Sequence, residues 1–348
     1  MSAMESLQLY SAHHRSDRAS SKVGNVTAVE LDYLFVCPAD PVMTTLFSPR
    51  AMAWNKVGAT LMLLCPCCFS VQPEFTAQPG ELVPRVRKGL HFELFLPAAW
   101  TAAEHHPVLV FLHGRGESGG FDVTNAQSLP SLLLNNRSFA ASFPFVTVVP
   151  QCPSQCAMAN HWSPHILQSI SALLFEFVLS PNGLGGDAER VYLAGQSMGG
   201  HGAWMYAAQQ PRLFAALVVV CGYLQGRRET REVMQRLAHD RLPVAVFHAA
   251  DDVVIPVDAS DDAVAALRAS GYSDHETTAG SHRSSGRIVR YTRYDHAPGP
   301  PMAEYAHLLG HGSYELAFRD PALYRWLLSH SCRTCINQPA LASWNELQ

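Results

Sequence analysis

The sequence predicts an α/β fold: a mostly parallel central sheet with helices on both faces. Two observations carry that expectation. Short, nearly continuous apolar runs recur from Leu82 onward, as buried parallel strands do when both of their faces are covered. Helical patterns separate these runs, and strands that alternate with helices imply parallel pairing through crossovers.

The elements follow in chain order. Residues 90–96 (LHFELFL) alternate as a half-exposed strand should. Continuous apolar runs lie at 108–112, 146–149, 191–194, 217–220 and 244–247, and 287–294 is expected as the last strand. Helices are expected over 166–179, 200–209, 230–239 and 260–269. Asp320 followed by Pro321 supplies an N-cap and a first-turn proline for a closing helix that carries Leu323, Trp326 and Leu327. In such sheets the functional groups gather in loops at the carboxyl ends of the strands.

Residues 1–80 do not share this rhythm. They open on a polar stretch rich in Ser, His and Arg, and Pro38, Pro41, Pro49, Pro66, Pro73 and Pro79 interrupt the rest. Each proline removes a backbone donor and restricts the residue before it. The expected organisation is an irregular or disordered N-terminal extension (1–80), an α/β domain (81–331) and a short tail (332–348). No internal repeat is visible.

With 348 residues, 48% of them apolar and 16% charged, the chain has ample material for a buried core. The formal net charge of −4 and the lack of a long basic run argue against a nucleic-acid partner. No stretch reaches the roughly 18 consecutive apolar residues of a membrane-spanning helix, since 57–69 is broken by Gly58 and Pro66. A cytoplasmic location is the default expectation. Translation from Met52 would instead present a short positive segment, an apolar run and small residues, as in a secretory signal. The nine cysteines are expected as reduced thiols. Zinc held by Cys65, Cys67, Cys68, Cys332 and Cys335 is the less favoured reading, because the spacing far exceeds that of zinc fingers.

Three polar motifs follow apolar runs. Gly195-Gln196-Ser197-Met198-Gly199 lies between a strand and an Ala-rich helix. A serine in so tight a turn is pushed into the cleft, and side chains two residues to either side would collide with the neighbouring strand and helix. The bland alternative is a capping serine. His113-Gly114-Arg115-Gly116-Glu117 follows the 108–112 run, and its glycines let backbone N–H groups approach a developing oxyanion. Arg115 is the expected donor, Gly116 the neighbour in doubt, and Met198 supplies the second N–H. His113 is expected beneath the loop, bonded to backbone, and Glu117 either pairs with Arg115 or leaves it free.

Asp251-Asp252 follows the 244–247 run, and the Asp-x-x-x-Pro pattern favours Asp252 as the acid, with Asp251 facing solvent or capping a turn. Gly310-His311-Gly312 places an imidazole on a loop between glycines after the last strand, where the ring can swing into the cleft, and imidazole is the side chain best suited to proton transfer at neutral pH. His296 and His307 are its rivals. His307 and His311 sit four apart, but no Glu occupies 308, so a His-Glu-x-x-His metal site is not expected. The predicted constellation is Ser197, Asp252 and His311, without metal or cofactor.

The blocks VLVFLHGRGESGG, VVPQCP, VYLAGQSMGGHGAW, FHAADDVVIPVDAS and GHGSYELAFRDPALYRWLL resemble, in order, those of bacterial-type esterases of the α/β-hydrolase superfamily. The likeness covers about residues 82–330 and is nearest to polyhydroxybutyrate-depolymerase-like and phospholipase/carboxylesterase-like enzymes, some termed predicted peptidases. The resemblance implies an α/β-hydrolase fold and cofactor-free hydrolysis of a small-molecule carboxylic ester through an acyl-enzyme. It carries Ser197, Asp252 and His311 onto the triad, and Arg115 and Met198 onto the oxyanion donors. Trp162 stands where relatives often carry an aromatic near the cleft, and it is a substrate-wall candidate with packing as the equal alternative. Gln196 is the second candidate substrate contact. The N-terminal 80 residues and a Pro-rich insertion at 297–309 depart from the family, and the insertion is a candidate lid. A peptidase or a lysophospholipase remains open, as does a catalytically silent binding protein of the same fold.

Overall fold

The computed structural model describes residues 78–120, 128–210, 212–274, 287–299 and 307–332. The extension at 1–77, most of the 297–309 insertion and the tail beyond Cys332 lie outside them. So do Cys37, Cys65, Cys67, Cys68 and Cys335. The described residues all fall within one unit, Val71–Gln348.

Eight strands form one sheet: β1 (Leu82–Arg87), β2 (Leu90–Phe95), β3 (His106–Leu112), β4 (Val146–Pro150), β5 (Gly186–Gln196), β6 (Ala216–Val220), β7 (Val244–Ala249) and β8 (Val289–Tyr294). Their order is β1-β2-β4-β3-β5-β6-β7-β8. β2 pairs antiparallel with β1 and β4, and every other pairing is parallel. The helices are α1 (Leu129–Asn135), α2 (Arg137–Ser142), α3 (Ser154–Ala159), α4 (Pro164–Leu173), α5 (Met198–Gln209), α6 (Gly226–Asp240), α7 (Asp258–Ala269), α8 (Ser313–Ala317) and α9 (Pro321–Leu328).

β3 shows why the apolar runs are continuous. All seven of its residues are buried. Val108, Val110 and Leu112 pack with Leu167, Ile170, Ala203, Val233 and Val264 of α4–α7 on one face. Leu109 and Phe111 point the other way, into a cluster with Leu129, Ala140, Ala317 and Leu323 of α1, α2, α8 and α9. A strand sandwiched between two helical layers has no polar face to show.

β1 is the strand that the pattern does not reveal. It is an edge strand, mostly exposed, with Leu82 its one fully buried residue and Pro84 tolerated because one side of its ladder is unpaired. It turns into β2 through Lys88 and Gly89, both at positive φ. Asp320 caps α9 as expected, its side chain accepting from the Ala322 N–H at 2.8 Å.

The expectation of reduced thiols is overturned at Cys152, Cys156 and Cys332. Cys152 and Cys156 form a disulfide that closes on the first turn of α3, with Cα atoms 6.0 Å apart. Cys332 is also disulfide-bonded, which removes it from the zinc reading. Cys221, fully buried, is the free cysteine among the described residues. No helix among the described residues is long and apolar enough to cross a membrane.

Candidate active site

β5 and α5 meet at Ser197, whose φ of 54° and ψ of −123° lie outside the ordinary regions of an L-residue. The surroundings enforce this turn. The Ser197 N–H donates to the Val220 carbonyl of β6 at 3.0 Å, and its carbonyl accepts from the His201 N–H of α5 at 3.1 Å. A Cβ on Gly195 would collide with the Gly199 carbonyl, and one on Gly199 would collide with the Leu112 carbonyl of β3. The serine side chain makes no capping bond to its helix.

Instead, Ser197 Oγ lies 2.9 Å from His311 Nε2. His311 Nδ1 lies 2.8 Å from Asp252 Oδ2. A carboxylate only accepts, so Nδ1 carries the proton and Nε2 is left to accept from the serine hydroxyl. Both His311 and Asp252 are buried. Their loops interlock at Gly310, where φ is 75° and any Cβ would strike the Asp251 carbonyl. Three segments far apart in sequence thus deliver one hydrogen-bonded line.

Asp252 receives four donors. Its Oδ1 accepts from the Val254 N–H at 2.8 Å and the Ile255 N–H at 3.0 Å. Its Oδ2 accepts from His311 and from His248 Nε2 at 3.1 Å. Burial pushes its pKa up, but the hydrogen bonds from His248 and His311, with the Ile255 N–H, outweigh burial and hold the carboxyl well below its usual range. Asp251 is occupied elsewhere: it accepts from the Ala297 N–H at 3.0 Å and stands 3.3 Å from Nδ1 of the exposed His296. His307 is exposed, outside this line.

The glycine-rich loop lies beside the serine, where a Cβ on Gly114 would stand 3.6 Å from the Ser197 Cβ. Arg115 and Gly116 are exposed at the start of a short 3-10 turn (Arg115–Glu117), and the Arg115 side chain donates to the Ala157 carbonyl at 2.8 Å. Met198 is the first residue of α5, so its N–H has no acceptor within the helix. His113 is buried beneath the loop: Nδ1 donates to the Gly114 carbonyl at 2.7 Å and Nε2 accepts from the Cys152 N–H at 3.0 Å. Burial lowers its pKa to about 4.

Glu117 turns inward rather than pairing with Arg115. Its Oε2 accepts from the Gly114 N–H at 2.7 Å, Oε1 is buried without a partner, and burial raises its pKa to about 7. Gln196 and Trp162, both expected near substrate, stand back from the cleft. Gln196 is 2% exposed, with its amide 3.4 Å from Glu117 Oε2. Trp162 is 3% exposed, packs on His113 and Gly202, and donates to the His113 carbonyl at 3.3 Å. Both are buried in the packing behind the loop, the alternative already expected for Trp162.

Cys221 also sits here at a positive φ of 41°, with its sulfur and one ligand atom each of Asp252 and His311 within 4.8 Å of one another. Burial, reinforced by the Asp252 charge, pushes the thiol pKa far up. A neutral thiol beside an imidazole whose nitrogens both face protein partners is a poor metal cage.

Residues 84–267 match the model of the Esterase family, just over half of the chain. The chain belongs to the Esterase family. The family segment contains Arg115, Ser197, Met198 and Asp252, whereas His311 lies beyond it. Among solved structures, the chain of this family member is similar to a thermostable esterase: 25% identity, a TM-score of 0.54, 72% of this chain and 63% of that one. It therefore spans less than two thirds of that esterase. An acylaminoacyl peptidase of Pyrococcus horikoshii aligns at 14% identity and a TM-score of 0.46, over 74% of this chain and 43% of that one. An esterase of the Planctomycetes species Thermogutta terrifontis aligns at 16% and 0.41, over 65% and 90%. No curated protein matches the chain.

Two residues of this site have no sequence motif of their own. His248 lies in a buried strand four residues before Asp252, and only that spacing hints at a bond. Glu117 reads as a loop carboxylate, and nothing in the sequence tells which way it turns.

Proposed function

We propose that the protein is a serine hydrolase that cleaves small-molecule carboxylic esters through an acyl-enzyme, with Ser197 as nucleophile, His311 as base and Asp252 as acid. The observation that carries this reading is the continuous line from Ser197 Oγ through His311 to Asp252, at 2.9 and 2.8 Å.

In the first half-reaction His311 Nε2 takes the serine proton as Oγ bonds to the ester carbonyl carbon. The carbonyl oxygen becomes an oxyanion, met by the N–H groups of Met198 and Arg115, with Gly116 the adjacent donor. Asp252 stabilises the imidazolium through Nδ1–H without taking its proton. The C–O bond to the alcohol breaks as His311 returns the proton to the leaving oxygen. Water, deprotonated by the same nitrogen, then releases the acid and restores Ser197. The disulfide-bonded cysteines favour an oxidising compartment over the cytoplasm as the place of work.

The test is a panel of p-nitrophenyl acyl esters set against peptide amides, with Ser197→Ala as control. Ester turnover that falls by about 10⁶ in the variant is expected. Preferred amide cleavage would move the reading to a peptidase. A folded wild-type protein that neither turns over esters nor labels with a fluorophosphonate would move it to a silent binding protein.

A further inference from the structure

We propose that His248 is a positioning residue of this site, which fixes the Asp252 carboxylate so that the ordered chain runs Ser197–His311–Asp252–His248–Ser260 instead of ending at the acid. The inference rests on the reading of Ser197, His311 and Asp252 given above and extends it by one histidine.

His248 belongs to β7 and is fully buried. Its Nε2 lies 3.0 Å from the Ile255 carbonyl as well as 3.1 Å from Asp252 Oδ2. Both neighbours only accept, so Nε2 must carry a proton and share it between them. In that tautomer Nδ1 is the acceptor, and it stands 2.8 Å from Ser260 Oγ on α7, whose hydroxyl donates. The ring is therefore fixed at both nitrogens, by a loop on one side and a helix on the other.

The consequence falls on Asp252, whose side chain is also fully buried. With no water to replace a missing donor, each of its four hydrogen bonds determines where the charge sits and where Oδ2 points. Oδ1 is held by two backbone N–H groups of its own loop. Oδ2 is shared by two imidazoles, so without His248 it would be held by His311 alone. The acid would then be free to tilt about the axis that His311 needs fixed. An inert core histidine would require none of this arrangement. It would be satisfied by the Ile255 carbonyl and Ser260 without touching the acid.

The experiment compares His248→Phe, which keeps a ring and removes both nitrogens, with His248→Gln, whose amide N–H can stand in for Nε2–H. The readouts are kcat and KM for a p-nitrophenyl ester, the rate of fluorophosphonate labelling at Ser197, and thermal unfolding as a check on folding. A hydrogen bond to a charged group predicts a roughly 10- to 100-fold loss of kcat and of labelling rate in His248→Phe. KM should stay within about twofold, and His248→Gln should recover most of the loss. Ring ¹⁵N NMR of the wild type should show His248 protonated at Nε2 and bare at Nδ1, a readout that does not depend on any variant folding.

Folded His248→Phe that labels as fast as wild type, equal losses in both variants, or a bare Nε2 would each overturn the inference while leaving the hydrolase reading intact. A wild-type protein that turns over no ester and does not label would sink the hydrolase reading first, and the NMR tautomer would still decide the bond to Asp252.

Discussion

Ser197 and Glu117 show how local energy is arranged around the cleft. Ser197 keeps an unfavourable φ because β3, β6 and α5 leave no alternative path for the chain. Glu117 carries a different cost. Burial raises its pKa from 4.5 to about 7, against the opposing hydrogen bonds of the Gly114 N–H and Gln196. Between those values the folded protein holds a proton that the unfolded chain has released, so the contribution of Glu117 to stability falls as pH rises from 4.5 to 7 and is constant above. Glu117→Gln removes the titration and keeps an acceptor for Gly114. Its stability relative to wild type, read by urea unfolding, should improve between about pH 4 and pH 8 by on the order of 3 kcal/mol. An unchanged difference across that range would mean that Glu117 ionises normally. His113 works in the opposite sense: with its pKa depressed to about 4, its contribution is present above 6.5 and is lost as pH falls towards 4.

The β5–α5 turn and the 3-10 turn after β3 are built with glycines of different kinds. At Gly199 an added Cβ would meet the Leu112 and His113 carbonyls of β3 and its loop, backbone atoms that cannot step aside. At Gly116 nothing lies within 4 Å. Gly199→Ala should therefore cost on the order of several kcal/mol or prevent folding. Gly116→Ala should leave the melting temperature nearly unchanged, so that any loss of turnover it shows reports on the proposed oxyanion donors. Equal stability of the two variants by thermal denaturation would refute the steric account. The sequence made the glycines conspicuous in both motifs, yet only the contacts separate a glycine that the fold requires from one that it merely permits. The same limit applies to helices: the helix after Ser197 was legible from 200–209, and its true start at Met198 was set by the strained serine before it.

At the scale of the molecule, the sheet gathers its candidate functional groups at one edge because parallel strands all end there. Ser197 follows β5, Asp252 follows β7 and the glycine-rich loop follows β3, while His311 arrives from beyond β8. α3 and its Cys152–Cys156 disulfide lie against that edge, since the Cys152 N–H and carbonyl bond His113 and Gly119. A protein that works in an oxidising compartment should be isolated with Cys152 and Cys156 blocked to alkylation, by intact-mass measurement. Cys152→Ser with Cys156→Ser should cost about 2 kcal/mol, the expectation for so short a loop. Free thiols at both positions in the native protein would return the cytoplasmic reading.

The sequence by itself determined the fold class, because buried parallel strands must be apolar on both faces, and it determined the serine turn, because its glycines answer to local crowding. It also put forward Asp252 over Asp251 as the acid and His311 over His296 and His307 as the base. Only the tertiary structure shows that Asp252 and His311 share one hydrogen-bonded line with Ser197 while Asp251 turns to Ala297 and His296, since those pairings depend on which loop ends meet in space. The inward turns of Glu117, Gln196 and Trp162, and the second histidine on Asp252, were decided there too. Whether a polar side chain faces water or a buried partner depends on residues that are distant in the chain and adjacent only after folding.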